Sequence, residues 1–86
     1  MENQTPKKIE NIDLPKGRYN LFKLDDEGGQ KLQESGFVMR PLVVGTSFMI
    51  GTSSHWWITS VVTEIQRTGK GARFFTLNSE YLVEEA

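Results

Sequence analysis

The fold is decided by residues 42–83, which read LVVGTSFMIGTSSHWWITSVVTEIQRTGKGARFFTLNSEYLV. This stretch contains both tryptophans and most of the valines and isoleucines, which are residue types enriched in β-strands. Sequences rich in glycine and serine divide it into short apolar runs, as turns between strands would. The pattern predicts short antiparallel strands that close into a small barrel or a tightly curled sheet.

The chain has 86 residues, which is enough for one domain. We predict a mainly β fold: a small SH3-like or OB-like barrel, or a curled antiparallel sheet, with at most one short helix. Residues 1–13 (MENQTPKKIENID) are polar and charged, which is typical of a flexible tail. Alternatively, this segment becomes ordered against a partner through Ile9, Ile12 and Leu14. The single β domain is expected to span residues 14–86.

Residues 18–24 predict a strand in which both faces carry apolar side chains, and residues 37–44 and 48–50 predict further strands. Residues 25–29 (DDEGG) interrupt the first of these strands. The three acids would cap the start of one or two helical turns over residues 30–35, with Gly36 ending them, or the segment is a loop. Their spacing does not match a calcium loop, so we expect no metal site there.

Residues 55–67 (HWWITSVVTEIQR) are long for one strand of a small protein, so we expect a bend near Thr59 and Ser60. Side chains of a strand alternate between two faces, and the more apolar set should face the core. That set is Val61, Thr63 and Ile65. The return strand is apolar on both faces, so we expect either Phe74 or Phe75 to be exposed or to cover a neighbouring element.

Trp56 and Trp57 are adjacent, and an extended strand points adjacent side chains to opposite faces. We expect Trp57 in the core and Trp56 at the surface, beside cations of the hairpin that follows. The candidate binding residues are Trp56, Arg67, Lys70, Arg73 and Phe74. Aromatic and cationic side chains together stack on single-stranded nucleic acid and also anchor protein interfaces. The alternative is that both tryptophans are core or dimer contacts.

The charge balance sets limits on nucleic-acid binding. The net charge is −1, whereas non-specific nucleic-acid binders are usually basic. Residues 37–79 carry a local excess of three positive charges, because this stretch contains four basic residues and one acidic residue. These residues are Arg40, Arg67, Lys70, Arg73 and Glu64. The sequence therefore predicts at most a small basic patch.

Catalytic and metal chemistry find little support. The absence of cysteine excludes disulfides, thiolate catalysis and cysteine-ligated zinc. His55 is the only histidine, and the adjacent Ser53 and Ser54 lack the glycine-framed turn of a serine nucleophile. Lys70 lies between two glycines but without the spacing of a phosphate-binding loop. We expect no enzyme activity, no cofactor and no metal.

Two short motifs carry a resemblance. The run W-x-T-S-x-V-x-E-I at residues 57–65 and the run F-x-T-x-N-S-x-Y at residues 74–81 resemble small uncharacterised bacterial and phage β proteins with an SH3-like or curled-sheet fold. The resemblance implies architecture. It brings no catalytic motif with it.

The leading hypothesis is a non-catalytic protein-binding module, such as a small phage- or bacterium-encoded regulator or inhibitor of an unidentified partner protein. A single-stranded nucleic-acid-binding barrel and a small-molecule-binding protein are the alternatives. Apolar residues on both faces of the strands favour a homodimer as a further alternative. No apolar run is long enough to span a bilayer and no secretory signal is present, so we expect a cytoplasmic protein without a membrane partner.

Overall fold

The computed structural model describes residues 9–86, which form eight strands. These are β1 (Asn11–Ile12), β2 (Tyr19–Leu24), β3 (Gln30–Arg40), β4 (Leu42–Val43), β5 (Ser47–Gly51), β6 (Trp56–Arg67), β7 (Gly71–Thr76) and β8 (Glu80–Glu85). Six of them close an antiparallel barrel in the order β2-β3-β5-β6-β7-β8, in which β8 pairs back onto β2. The other two, β1 and β4, pair with each other. The predicted mainly β barrel is confirmed, whereas its finer description as SH3-like or OB-like stays a prediction.

The helix considered for residues 30–35 is wrong, because these residues belong to β3. The carboxylate of Asp25 accepts hydrogen bonds from the backbone N–H groups of Glu27 and Gly29, at 2.9 and 2.7 Å. Gly28 adopts a positive φ of 86°, which glycine tolerates best. The acid therefore caps a hairpin turn between β2 and β3, and the chain enters the next strand directly.

Two long strands, β3 and β6, each exchange one neighbour for another along their length. The first part of β3 pairs with β2 up to Gly36, and residues 37–40 pair with β5. In β6, residues 56–61 pair with β5 and residues 62–67 pair with β7. At the corner in β3, a Cβ atom on Gly36 would collide with the backbone of Gly51. The corner therefore requires a glycine at position 36.

Two bulges in β6 reset its alternation of inward and outward side chains. Its register shifts once against β5, near Thr59, and once against β7, near Thr63, because β6 supplies one extra residue at each place. The expected bend near Thr59 is confirmed. The predicted core side of β6 is right for Ile65 and wrong for Val61 and Thr63, which are both exposed. Thr59, Val62 and Ile65 are buried instead.

Aromatic side chains fill the barrel. Phe74 is fully buried, with its ring centroid 5.3 Å from that of Phe48 and 5.4 Å from that of Tyr81. At the bulge, the hydroxyl of Thr59 accepts a hydrogen bond from the N–H of Phe48 and donates to the carbonyl of Ser60, so this buried hydroxyl is satisfied. The core consists of Ile12, Tyr19, Leu21, Leu42, Phe48, Ile50, Val62, Ile65, Ala72, Phe74, Tyr81 and Val83.

The segment expected to be a tail contributes to this core. Ile12 is 3% exposed and pairs with Leu42, and Ile9 forms a bridge with Ile65. Residues 9–13 therefore lie against the barrel. The other residues of the predicted tail, 1–8, lie outside the described residues.

The two-sided apolar character of β2 and β7 also has a structural explanation. Phe22 lies opposite Leu32 on one side and Leu82 on the other, on the outer surface of the barrel. Phe75 is half-buried there, because the guanidinium of Arg73 lies 5.6 Å from its ring centroid. These outward apolar side chains are thus partly covered by their own neighbours.

Replacing Gly36 tests the corner of the barrel. We expect Gly36→Ala to lower the free energy of unfolding by about 2–3 kcal/mol, because the backbones must move apart. Gly69→Ala is the matched control, since a Cβ there meets nothing within 4 Å. We expect its effect to stay within about 0.5 kcal/mol. Urea unfolding measures both variants, and equal losses would contradict this account of the corner.

Tyr19 is 1% exposed, and its hydroxyl donates a 2.7 Å hydrogen bond to the carbonyl of Pro15. Burial raises the pKa of Tyr19 above its ordinary value of 10.0, and the carboxylate of Glu85 raises it further. The neutral tyrosine therefore stabilises the fold below pH 10.0. Above that pH the unfolded chain loses its proton first, so stability falls as the pH rises.

We expect the free energy of unfolding to decline between pH 9 and pH 11 in the parent protein, and to decline less in Tyr19→Phe (the interval brackets the ordinary tyrosine pKa of about 10). At neutral pH the variant should lose about 1 kcal/mol, because the hydrogen bond to Pro15 is gone. Urea unfolding at each pH measures this difference. Parallel pH profiles for the two proteins would show that Tyr19 does not control the alkaline limit.

Candidate functional site

The outer surface of the β3–β5–β6 sheet carries two exposed aromatic side chains in one row. Phe37 lies opposite Gly51, and Gly51 lies opposite Trp56, so all three share one face of the sheet. Phe37 is 48% exposed and Trp56 is 54% exposed. Because the middle position is a glycine, no side chain fills the space between the two aromatic rings.

Aliphatic side chains continue this surface along the sheet. Ile58 lies opposite Met49, and Val61 follows beyond the bulge, opposite Ser47. Ile58 is 49% exposed, and the exposed Leu77 donates its backbone N–H to the carbonyl of Val61. We call this surface the outer apolar face. It consists of Phe37, Met49, Trp56, Ile58 and Val61.

The same sheet has two strand edges without a neighbour in residues 9–86. Residues 37–40 of β3 and residues 56–60 of β6 each pair with β5 alone, whereas Val61 also accepts the hydrogen bond from Leu77. Backbone groups at an unpaired edge are available to another strand. The sheet thus offers both a face and two edges for contact.

Polar groups border the outer apolar face. The guanidinium of Arg18 lies 5.3 Å from the centroid of the Phe37 ring, within the range of a cation–π contact. Arg40 donates a 2.9 Å hydrogen bond to the hydroxyl of Ser47. The Nδ1 atom of His55 lies 2.6 Å from a carboxylate oxygen of Glu34. This apolar face with a polar border is typical of protein interfaces.

A cleft of about 400 Å³ lies beside the β3 edge of the face. Residues 14–17 form one wall and residues 37–41 form the other. Its charged lining side chains are Lys16 and Arg40, and no carboxylate lines it. The cleft therefore combines apolar walls with positive charge.

The two tryptophans differ as predicted. Trp56 is exposed, whereas Trp57 is half-buried and packs against the core. The indole N–H of Trp57 is buried, and the described residues supply no hydrogen-bond partner for it. The outward side chain of the pair is therefore the one available for contact.

The other candidate binding residues do not assemble around Trp56. Phe74 is wrong as a surface residue, because its parity places it in the core. Trp56 and Arg67 lie at opposite ends of a 12-residue strand, which at about 3.3 Å per residue separates them too far for one stacking platform. Arg73 forms a salt bridge with Glu80.

Arg67 and Lys70 do line one small depression, of about 180 Å³, but Asp13 and Glu85 line it too. The positive excess along residues 37–79 therefore meets carboxylates from both ends of the described chain. The expected basic patch beside Trp56 does not form from these side chains.

Within the described part of the chain, no three histidine, aspartate or glutamate side chains form a group suited to a metal ion. The imidazole of His55 is paired with Glu34, and the hydroxyl of Thr52 accepts hydrogen bonds from the N–H groups of Ser54 and His55. This loop is thus held by ordinary turn contacts. Across residues 9–86, no helix has the length and apolarity needed to cross a membrane.

Sequence reasoning missed Phe37, Met49 and Ile58 as surface residues. Alternation from Trp56 indicates that Ile58 shares its face, and this signal was available in the sequence. The placement of Phe37 next to Trp56 was not, because it depends on the pairing of both strands with Gly51.

Comparisons with known proteins add no relative to these observations. No family model matches the chain, and no curated protein or solved structure shows a significant match. The resemblance to small bacterial and phage β proteins stays a prediction.

Proposed function

We propose that this protein is a non-catalytic protein-binding module that contacts its partner through the outer apolar face. The observation that carries the proposal is the grouping of Phe37, Trp56 and Ile58, each about half exposed, on one side of one sheet. Contiguous exposed apolar surface is costly in water and typically marks an interaction site. Tryptophan at the centre of such a surface is a frequent anchor of protein interfaces.

The composition of the face favours a protein partner over single-stranded nucleic acid. Nucleic-acid sites combine stacking aromatics with a cationic groove that follows the phosphates. Here Met49, Ile58 and Val61 occupy the positions beyond the aromatic row. Arg67, Lys70 and Arg73 lie elsewhere, beside carboxylates. A small module with such a face suits a regulator or inhibitor, phage- or bacterium-encoded, that covers part of its partner's surface.

The edge of β6 favours a second copy of this chain as an additional partner. Residues 56–60 (WWITS) include neither a charged residue nor a proline, the residue types that commonly protect strand edges from pairing. Antiparallel pairing of two such edges would extend the sheet across a two-fold axis. It would also join the two outer apolar faces.

Site-specific photocross-linking tests the proposed face. We expect benzoylphenylalanine at position 58 to capture one defined protein from the native cell, whereas the same probe at Gln66, at the other end of β6, captures none. The reason is that Ile58 lies on the face and Gln66 lies opposite Arg73. Mass spectrometry identifies the captured protein.

The recombinant partner then provides the quantitative test. Ile58→Lys should weaken binding by at least about tenfold, because a charge replaces a buried apolar contact. Gln66→Lys, an exposed position in the same strand, should leave the Kd within about twofold. Circular dichroism checks that both variants keep the fold. Equal affinity of the two variants for the captured protein would overturn the proposal.

Sedimentation velocity tests the second copy as a partner. We expect the sedimentation coefficient to rise towards that of a dimer over about two decades of protein concentration, because association depends on mass action. Ile58→Lys should stay monomeric throughout. A parent protein that is monomeric at every concentration would exclude self-association. The proposal that the face binds a different protein would still stand.

A further inference from the structure

The cleft between residues 14–17 and residues 37–41 has the features of a peptide-binding site. Its volume of about 400 Å³ is in the range of small-ligand and side-chain pockets. Leu14, Val38 and Met39 give the cleft apolar walls. Tyr19 holds the wall formed by residues 14–17 in place through its hydrogen bond to the carbonyl of Pro15. The wall is therefore held in place by a residue of the core.

The charged side chains that line the cleft are both positive. Lys16 and Arg40 line it, and Arg18 lies next to it, over the ring of Phe37. The nearby acids line depressions outside the cleft: Asp13 shares one with Arg67, and Glu85 lines that one and a second, which it shares with Lys16 and Arg18. Arg40 uses one donor on Ser47, which leaves further guanidinium donors for a ligand. A ligand whose charge complements these cations would therefore carry carboxylates.

The second wall is a strand edge. Residues 37–40 of β3 pair with β5 and have no strand on the cleft side in the described part of the chain. An extended chain placed in the cleft would find backbone donors and acceptors there. The register shift at Met39 and the proline at position 41 interrupt the ladder, so only a short segment fits.

From these three observations we propose that the cleft binds a short extended peptide of a partner protein in which carboxylates flank a large apolar side chain. The apolar side chain enters between Leu14 and Met39, and the carboxylates face Lys16 and Arg40. This proposal rests on the proposed protein-binding function, because Phe37 belongs to both the cleft and the outer apolar face. It assigns the chemistry of the segment that lies beside the face.

Synthetic peptides test the proposal directly. The probe is the acidic peptide Ac-DDLFDD-NH2, and the matched neutral peptide is Ac-NNLFNN-NH2. In ¹⁵N-correlated NMR spectra of the full chain, we expect the acidic peptide to shift the amide signals of residues 14–17 and 37–40. The neutral peptide should bind at least about tenfold more weakly, and added salt should weaken the binding of the acidic peptide.

Charge reversal locates the carboxylates. Lys16→Glu and Arg40→Glu should each raise the Kd of the acidic peptide by about tenfold or more, since attraction becomes repulsion. Lys31→Glu is the control, because Lys31 is an exposed cation that lies opposite Lys23 in the β2–β3 ladder and does not line the cleft. Equal binding of the acidic and neutral peptides, or shifts confined to residues outside the cleft, would overturn the proposal. So would tighter binding of an oligothymidylate to the same residues, because the occupant would then be a nucleic acid.

The two proposals fail in different experiments. If the acidic peptide does not bind but the cross-linked partner still depends on Ile58, the cleft assignment is wrong and the protein-binding face remains. If the peptide binds and cross-linking at position 58 captures nothing above the Gln66 level, the outer apolar face is wrong as the main contact.

Discussion

The barrel depends on the close approach of two backbones at Gly36 and Gly51. A Cβ atom on Gly36 would collide with the backbone of Gly51, and one on Gly51 would collide with the start of β6. Because neither side chain exists, β3 can leave β2 and pair with β5 within one residue. This change of partner places β5 between β3 and β6 in the order of the closed barrel.

The candidate site is a consequence of this corner. Gly51 lies between Phe37 and Trp56 on the outer surface, so the glycine that permits the turn also separates the two exposed rings. Beyond the corner, residues 37–40 and residues 56–60 have no second neighbouring strand in the described chain. Gly51 therefore serves both the close backbone approach at the corner and the spacing of the two exposed rings.

Charge is distributed by the fold in a way that linear counting does not show. Residues 37–79 appear basic in sequence, yet Arg73 pairs with Glu80, and Arg67 and Lys70 share a depression with Asp13 and Glu85. Lys16 and Arg40 are distant in sequence, yet they line one cleft that has no carboxylate. The surface suited to an acidic partner thus arises from residues that no local window of sequence groups together.

The sequence by itself determined the mainly β class, most of the turns, the bend near Thr59 and the outward position of Trp56, because these depend on local propensity and on alternation within a few residues. The tertiary structure decided which face of β6 is buried beyond that bend, since each bulge reverses the alternation. It also placed Phe74 in the core, and it brought Phe37 to Trp56 and Lys16 to Arg40. Strand register fixes these positions, and register is set by long-range pairing and core packing.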